Sequence, residues 1–137
     1  MGTVYAEITL KNAWDAGSIA AGLIKEPDVH QTTVRAVVDT GSMYLVINEE
    51  TRQKLNLGIR DERNVRLANG EKTPCKITEP VEVHWKDRQT ACPAVVIPNA
   101  ETVLLGAIPL EGMDLMVNLV TQELVGVHGD KVEYLVL

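Results

Sequence analysis

The chain has 137 residues, of which 45% are hydrophobic and 23% are charged, a balance typical of a folded globular domain and not of a disordered or fibrous protein. Its net charge is −6 and it has no basic cluster longer than a dipeptide, which disfavours nucleic-acid binding. Its apolar runs are far shorter than the roughly 20 residues that a membrane-spanning helix needs, so we expect no membrane partner. The length of the chain favours one domain spanning residues 1–137.

The N-terminal segment alternates apolar and polar residues, which predicts a β-strand from Val4 to Lys11. It has neither the basic start nor the apolar core of an export signal, so we expect a cytoplasmic location. Residues 12–30 contain several turn-forming residues, and Gly22 and Pro27 limit any helix there. We therefore predict a long connection before the next strand.

Asp39 follows a second predicted strand, Gln31–Val38, and precedes another apolar run, Tyr44–Ile47. Strands of this kind are usually buried, and an isolated buried carboxylate has an idealised cost of tens of kcal/mol unless it is paired, hydrogen-bonded or protonated. Asp39 is therefore either a turn residue or a group that takes part in chemistry. The local sequence leaves both interpretations open.

A short helix and a hairpin are predicted next. Asn48 is a good N-cap, and Gly58 is suited to end a helix of about two turns. Two short arms then flank Asn69-Gly70, the strongest signal for a two-residue hairpin turn, so we predict a projecting hairpin at about 64–77.

The rest of the chain is predicted to be mostly β. Residues 80–97 indicate two strands joined at 86–88, with Val81 and Val83 on one face. A short apolar strand then ends at Gly106, a helix begins near Pro109, a strand covers 114–118, and a last hairpin turns at 129–130. We therefore expect a mainly β domain, a closed or folded barrel with one or two short helices.

Three segments, in this order, resemble a known family. They are Asp39-Thr40-Gly41 within VDTG, the LANG segment Leu67-Ala68-Asn69-Gly70, and Leu104-Leu105-Gly106 at the start of LLGAIPLE. Together they resemble the retropepsin-like aspartic proteases, in particular the small bacterial and archaeal members related to retroviral proteases and pepsin. The resemblance extends from residue 3 to about residue 127.

The resemblance implies a homodimeric aspartic endopeptidase. Peptide hydrolysis by this route needs two carboxylates about 3 Å apart that share one proton. The chain has one Asp-Thr-Gly, so Asp39 of each of two copies would form the catalytic pair and activate the water. Gly41 would donate its N–H to Asp39, Thr40 would reach its symmetry mate, and Ser42 would hydrogen-bond the outer carboxylate oxygen.

The other two segments also acquire roles by resemblance. Residues 67–70 would form a flap over an extended peptide or unfolded-protein substrate, although a surface hairpin without a ligand is the alternative. Residues 104–106 would brace the catalytic loop. Retroviral enzymes usually follow this glycine with arginine or asparagine, and here Ala107 removes that polar contact.

Other chemistries have little support in the sequence. Three histidines, His30, His84 and His128, lie far apart and show no metal-binding spacing, so we expect no metal and no cofactor. Cys75 and Cys92 do not make a disulfide framework and are expected to be free thiols. The alternative to a protease is a catalytically inactive dimer of the same fold that binds peptides or a protein partner.

Overall fold

The computed structural model describes residues 3–25 and 28–129 and is mainly β, as predicted. Within these residues it has eleven strands: β1 (Val4–Asn12), β2 (Gln31–Val38), β3 (Leu45–Ile47), β4 (Ile59–Arg66), β5 (Lys72–Thr78), β6 (Val81–Trp85), β7 (Arg88–Cys92), β8 (Ala94–Val96), β9 (Leu104–Leu105), β10 (Leu115–Asn118) and β11 (Glu123–Gly126). The helices there are α1 (Ala13–Ala20), α2 (Glu49–Lys54) and α3 (Ala107–Gly112).

Nine strands form one sheet, in the order β4-β5-β8-β3-β9-β2-β1-β6-β7, and β10 pairs with β11 in a separate hairpin. The expected closure into a barrel is not observed, because β4 and β7 are the two edges of this sheet among the described residues. Every residue of β4 except Val65 is exposed, and across residues 3–25 and 28–129 the strand pairs only with β5. It therefore projects from the sheet instead of closing it.

The core lies on both sides of β3. Leu45 and Ile47 are fully buried in the larger apolar cluster, whereas Val46 between them belongs to a smaller cluster with Cys75 and Val95. Successive side chains of a strand point to opposite faces of the sheet, so β3 separates the two clusters. The strand after Asp39 is therefore buried on both faces.

The long connection predicted for residues 12–30 is wrong in its first half, where α1 forms. The Asn12 side chain accepts hydrogen bonds from the backbone N–H groups of Trp14, at 3.0 Å, and Asp15, at 3.2 Å, and so caps the helix. Its amide nitrogen donates to the Leu55 carbonyl at 3.0 Å. This contact spans 43 residues of chain, so local turn propensities gave no sign of it.

The two predicted helices are present with different limits. Asn48 caps α2 as predicted, since its side chain accepts from the Thr51 N–H at 2.8 Å. The helix ends at Lys54, and Asn56, with a φ of 50°, takes the left-handed conformation expected of Gly58. α3 begins directly after Gly106 and not at Pro109. With α1, the described residues contain three helices instead of one or two.

The predicted hairpin is confirmed, with a different turn. Its first strand, β4, begins at Ile59, and the loop joins Leu67 to Glu71, with the Leu67 N–H donating to the Glu71 carbonyl at 2.8 Å. The Gly70 N–H donates to the Leu67 carbonyl, and Gly70 has a φ of 86° while Asn69 has no positive φ. This is a three-residue loop ending in a left-handed glycine, not the predicted two-residue turn, which requires positive φ at both residues.

The buried Arg88 holds the C-terminal part of the described chain. Its guanidinium donates to the backbone carbonyls of Met113, at 3.1 Å, Asp114, at 2.8 Å, and Gly129. It also lies 3.5 Å from the Asp114 carboxylate, which accepts from His128 at 2.7 Å. Arg88 is therefore paired and hydrogen-bonded, as a buried charge must be.

Three further observations concern the sequence-based expectations. The second arm of the hairpin predicted to turn at 129–130 lies outside the described residues. Cys75 and Cys92 are free and buried, which confirms the expected thiols. None of the helices in the described ranges is long and apolar enough to cross a membrane.

Candidate active site

Asp39 lies at the end of β2, where the chain leaves the sheet in a tight turn. Its backbone N–H donates to the Leu105 carbonyl at 3.0 Å, which continues the pairing of β2 with β9 by one residue. Its own carbonyl accepts from the Ser42 N–H at 3.1 Å. The backbone of Asp39 is therefore fixed on both sides.

The Asp39 side chain lies at the surface of the single chain. Its Oδ1 accepts a hydrogen bond from the Gly41 N–H at 3.0 Å, which is the contact expected from the resemblance. Asp39, Thr40 and Gly41 are all exposed. The burial suggested by the flanking apolar runs is therefore not found within one chain, and the carboxylate is free to meet another molecule.

Ser42 is arranged differently from the expectation. Its backbone binds Asp39, but its hydroxyl makes no hydrogen bond with the carboxylate within the single chain. The Thr40 hydroxyl likewise makes no hydrogen bond with the Asp39 carboxylate there. Within the described residues of one chain, the carboxylate accepts one hydrogen bond, from a backbone N–H.

The segment from β9 into α3 supports this turn through three successive backbone hydrogen bonds. The Gly106 N–H donates to the Tyr44 carbonyl at 3.1 Å, the Ala107 N–H to the Ser42 carbonyl at 2.8 Å, and the Ile108 N–H to the Met43 carbonyl at 2.8 Å. Leu104 and Leu105 place this segment, since β9 pairs with β2 on one side and β3 on the other. The fold therefore places Gly106 beside the Asp39 turn, as the resemblance implied.

A cleft of about 990 Å³ opens beside Asp39. Its apolar floor is the smaller cluster of the core, with six lining residues: Val46, Val65, Ile77, Val95, Ile97 and Leu104. Leu67 and Ala68 of the predicted flap also line it, whereas the turn residues Asn69 and Gly70 do not. The hairpin therefore borders the cleft along its strands, and its turn extends beyond.

Two features of the cleft were missed from the sequence. Met43, Tyr44 and Ile108 surround the Asp39 turn with exposed apolar side chains, at 58%, 44% and 39% exposure. The second feature is the set of three arginines that β4 brings to the cleft: Arg60, Arg63 and Arg66. The basic residues of this segment could have indicated it from the sequence.

One of these arginines is paired. The Arg63 Nε lies 2.8 Å from Asp61 Oδ2, two residues earlier on the same strand. The hydrogen bond from Arg63 lowers the pKa of Asp61, and that of Arg63 is raised in turn. Both groups are therefore charged at neutral pH.

The histidines lie elsewhere and each contacts one carboxylate: His30 contacts Asp15, His84 contacts Glu82 and His128 contacts Asp114. No group of three or more His, Cys, Asp or Glu residues suited to a metal ion occurs in the described part of the chain. A second cavity, of about 600 Å³, is lined by residues of β1, β6 and β11 and by none of the predicted site residues.

A family model described as aspartyl protease matches residues 26–108. The chain belongs to the aspartyl protease family. The matched region contains every predicted site residue, from Asp39 to Gly106. A comparison with curated proteins gave no match.

Solved structures of two proteases share the fold. A retropepsin-like aspartic protease from Rickettsia conorii is 18% identical, with a TM-score of 0.55, and the match covers 85% of this chain and 77% of that one. The EIAV protease complexed with the inhibitor HBY-793 is 14% identical, with a TM-score of 0.54, and the match covers 80% and 86%. The retropepsin-like fold predicted from the three segments is confirmed.

Proposed function

We propose that this family member is an aspartic endopeptidase, whose catalytic pair consists of Asp39 and Asp39 of the partner subunit. The observation that carries the proposal is the exposed Asp39 carboxylate, fixed by the Gly41 N–H at the edge of an apolar-floored cleft. A carboxylate fixed by its backbone and open to solvent is suited to react with a molecule that enters the cleft. The proposed site also includes Thr40 and Ser42 as support for the turn.

The chemistry follows from the charge of such a pair. Two carboxylates about 3 Å apart share one proton, because both cannot ionise at that distance. The ionised one removes a proton from water as the oxygen attacks the peptide carbonyl carbon, and the protonated one donates its proton to the carbonyl oxygen. A proton then passes to the amide nitrogen, the C–N bond breaks, and a carboxyl group and an amine are released.

A second copy is required because one chain has one Asp-Thr-Gly. The exposed apolar side chains of Met43, Tyr44 and Ile108 beside Asp39 support an interface at this surface. Apolar side chains at the centre of an interface are a common means of association. Ala107 offers no polar side chain there, so we expect these three residues to provide much of the binding energy.

The cleft and its hairpin support an extended peptide as the substrate. One edge of β4 is unpaired among the described residues and can form main-chain hydrogen bonds with an added strand. The apolar floor is suited to alternate side chains of that strand. We propose that the 64–77 hairpin, with Leu67 and Ala68 toward the cleft, closes over the peptide as a flap.

The test compares Asp39→Asn with Asp87→Asn, which makes the same carboxylate-to-amide change in the exposed turn between β6 and β7. We expect Asp39→Asn to abolish cleavage of a reduced, carboxymethylated protein substrate, with fold and dimer intact, and Asp87→Asn to retain cleavage. Equal activity in the Asp39 variant would refute the mechanism. Peptide binding without hydrolysis by the wild type, from acidic to neutral pH, would instead indicate the inactive binding dimer.

An inhibitor gives an independent test of the same proposal. A statine-type peptide carries a hydroxyl in place of the attacking water and so resembles the transition state. We expect it to bind the wild type far more tightly than a matched peptide without the hydroxyl, and Asp39→Asn to lose most of this difference. Equal binding of both peptides would argue against turnover.

A further inference from the structure

The three arginines of β4 give the cleft a charge opposite to that of the chain. Residues 59–78 contain five basic and three acidic residues, whereas the whole chain contains 13 basic and 19 acidic ones. Arg60, Arg63 and Arg66 all line the cleft and are all exposed. An acidic protein therefore presents a positive strand where its substrate is proposed to lie.

The positive charge is only partly neutralised within one protomer. Arg63 pairs with Asp61, and across residues 3–25 and 28–129 neither Arg60 nor Arg66 forms an ion pair. Glu62, the other acidic residue of β4, does not line the cleft. Asp39 is the remaining carboxylate there, and in the proposed dimer it shares one proton with its counterpart. An excess of guanidinium groups remains.

We propose that Arg60 and Arg66 select peptide segments with acidic side chains on either side of the scissile bond. This inference rests on the proposed function, since it assigns a substrate class to the same cleft. A guanidinium binds a carboxylate through two parallel N–H donors, which gives direction as well as attraction. Because Arg60 and Arg66 lie near opposite ends of β4 and line the same cleft as Asp39, we expect them to meet carboxylates on either side of the scissile bond.

Arg60 and Arg66 are exposed to solvent, which limits how strongly they can favour an acidic peptide. Ion pairs between exposed groups contribute modestly and are screened by salt, so each arginine is expected to change kcat/KM by about 3- to 5-fold at low ionic strength. With both arginines acting, a glutamate peptide is expected to be preferred to its glutamine counterpart by about 10-fold. The preference should decrease strongly in 0.5 M NaCl.

The experiment uses two octapeptides with the same apolar centre and either Glu or Gln at each flanking position, at pH 6, where Glu is ionised. The Arg60→Gln/Arg66→Gln double variant is compared with Lys54→Gln, an exposed lysine of α2 that does not line the cleft. We expect the wild type and Lys54→Gln to prefer the Glu peptide about 10-fold in kcat/KM, and the double variant to cleave both peptides equally. Equal cleavage by the wild type, or a preference that survives in the double variant, would overturn the inference.

Measurements of peptide affinity test charge selection independently of proteolytic activity. The affinities of both octapeptides are measured with Asp39→Asn, which retains the arginines and does not consume the peptide. Tighter binding of the Glu peptide, lost when the arginines are also replaced, supports charge selection even if the wild type cleaves neither peptide. Equal binding of both octapeptides contradicts charge selection, even if the wild type is an active protease.

Discussion

The backbone of Gly106 lies against the Tyr44 carbonyl so closely that a Cβ on Gly106 would be 2.5 Å from that oxygen. The same Cβ would be 2.7 Å from the Ser42 carbonyl oxygen. Both neighbours are backbone atoms of the turn that carries Asp39, so they cannot move away as a flexible side chain would. The glycine is needed here for space, because its φ of −91° is open to any residue.

We therefore expect Gly106→Ala to displace the Asp39 turn. Overpacking against backbone is expected to lower the free energy of unfolding by about 3 kcal/mol and to remove most of the proteolytic activity. Urea denaturation and a peptide-cleavage assay measure the two effects. Gly17→Ala is the matched control, since nothing lies within 4 Å of its Cβ and alanine favours the helix; it should stabilise by about 0.5 to 1 kcal/mol. Wild-type behaviour of Gly106→Ala would refute the close packing.

Arg88 is expected to contribute strongly to the stability of the fold. Arg88→Met removes the donors to three backbone carbonyls and leaves His128 as the partner of the Asp114 carboxylate. Buried carbonyls that lose their charged donor should lower the free energy of unfolding by about 3 to 5 kcal/mol in urea denaturation.

Arg35→Met provides the comparison for Arg88→Met. Arg35 is exposed and lies 3.8 Å above the Tyr5 ring, a contact worth at most about 1 kcal/mol at an exposed site. The two substitutions make the same chemical change, so a similar loss in both variants would contradict the role assigned to Arg88.

The Cys92 thiol gives stability a defined pH dependence. Burial raises the pKa of Cys92 to about 11 from an ordinary value of 9.0. At about pH 8 and below, the thiol is protonated in both states and contributes almost no pH dependence. Between about pH 9 and 11 the unfolded thiol ionises while the folded one stays protonated, so the free energy of unfolding should fall by about 2 to 3 kcal/mol.

Denaturation of wild type and Cys92→Ala from pH 8 to 11 measures this contribution. Tyrosines and lysines also titrate in this range, and comparison with the variant removes their effect. The decrease with pH should be shallower in Cys92→Ala by about the stated amount. Parallel curves for the two proteins would show that the thiol ionises equally in the folded state.

The local sequence was sufficient to predict those strands and helix caps that depend on residues within or next to the element. β2 has the predicted limits, Gln31–Val38, because an apolar strand is bounded there by a turn. Asn48 was correctly predicted to cap α2, because its side chain accepts from a backbone N–H only three residues away. β4 was predicted to begin five residues too late, since its run of charged residues has no apolar alternation and becomes a strand by pairing with β5.

The site depended on contacts between distant segments. The order of three short motifs, compared with a known family, indicated that Gly106 would reach Asp39, and no local property of either residue shows this. The exposure of Asp39 and the arginines beside the cleft were missed. The two runs beside Asp39 do form strands, but the turn between them projects from the sheet, and the side-chain surroundings of a turn are not encoded in its neighbours.

The apolar side chains around Asp39 should determine dimer strength. Met43→Asp places a charge in the proposed interface in both copies, so the dimer dissociation constant should rise about 100-fold or more. Activity should be lost at low protein concentration and partly recovered at high concentration. Val120→Asp makes a similar change at a side chain that is 92% exposed and does not line the cleft, and should leave both properties unchanged. Sedimentation equilibrium measures the constants, and equal values for both variants would locate the interface elsewhere.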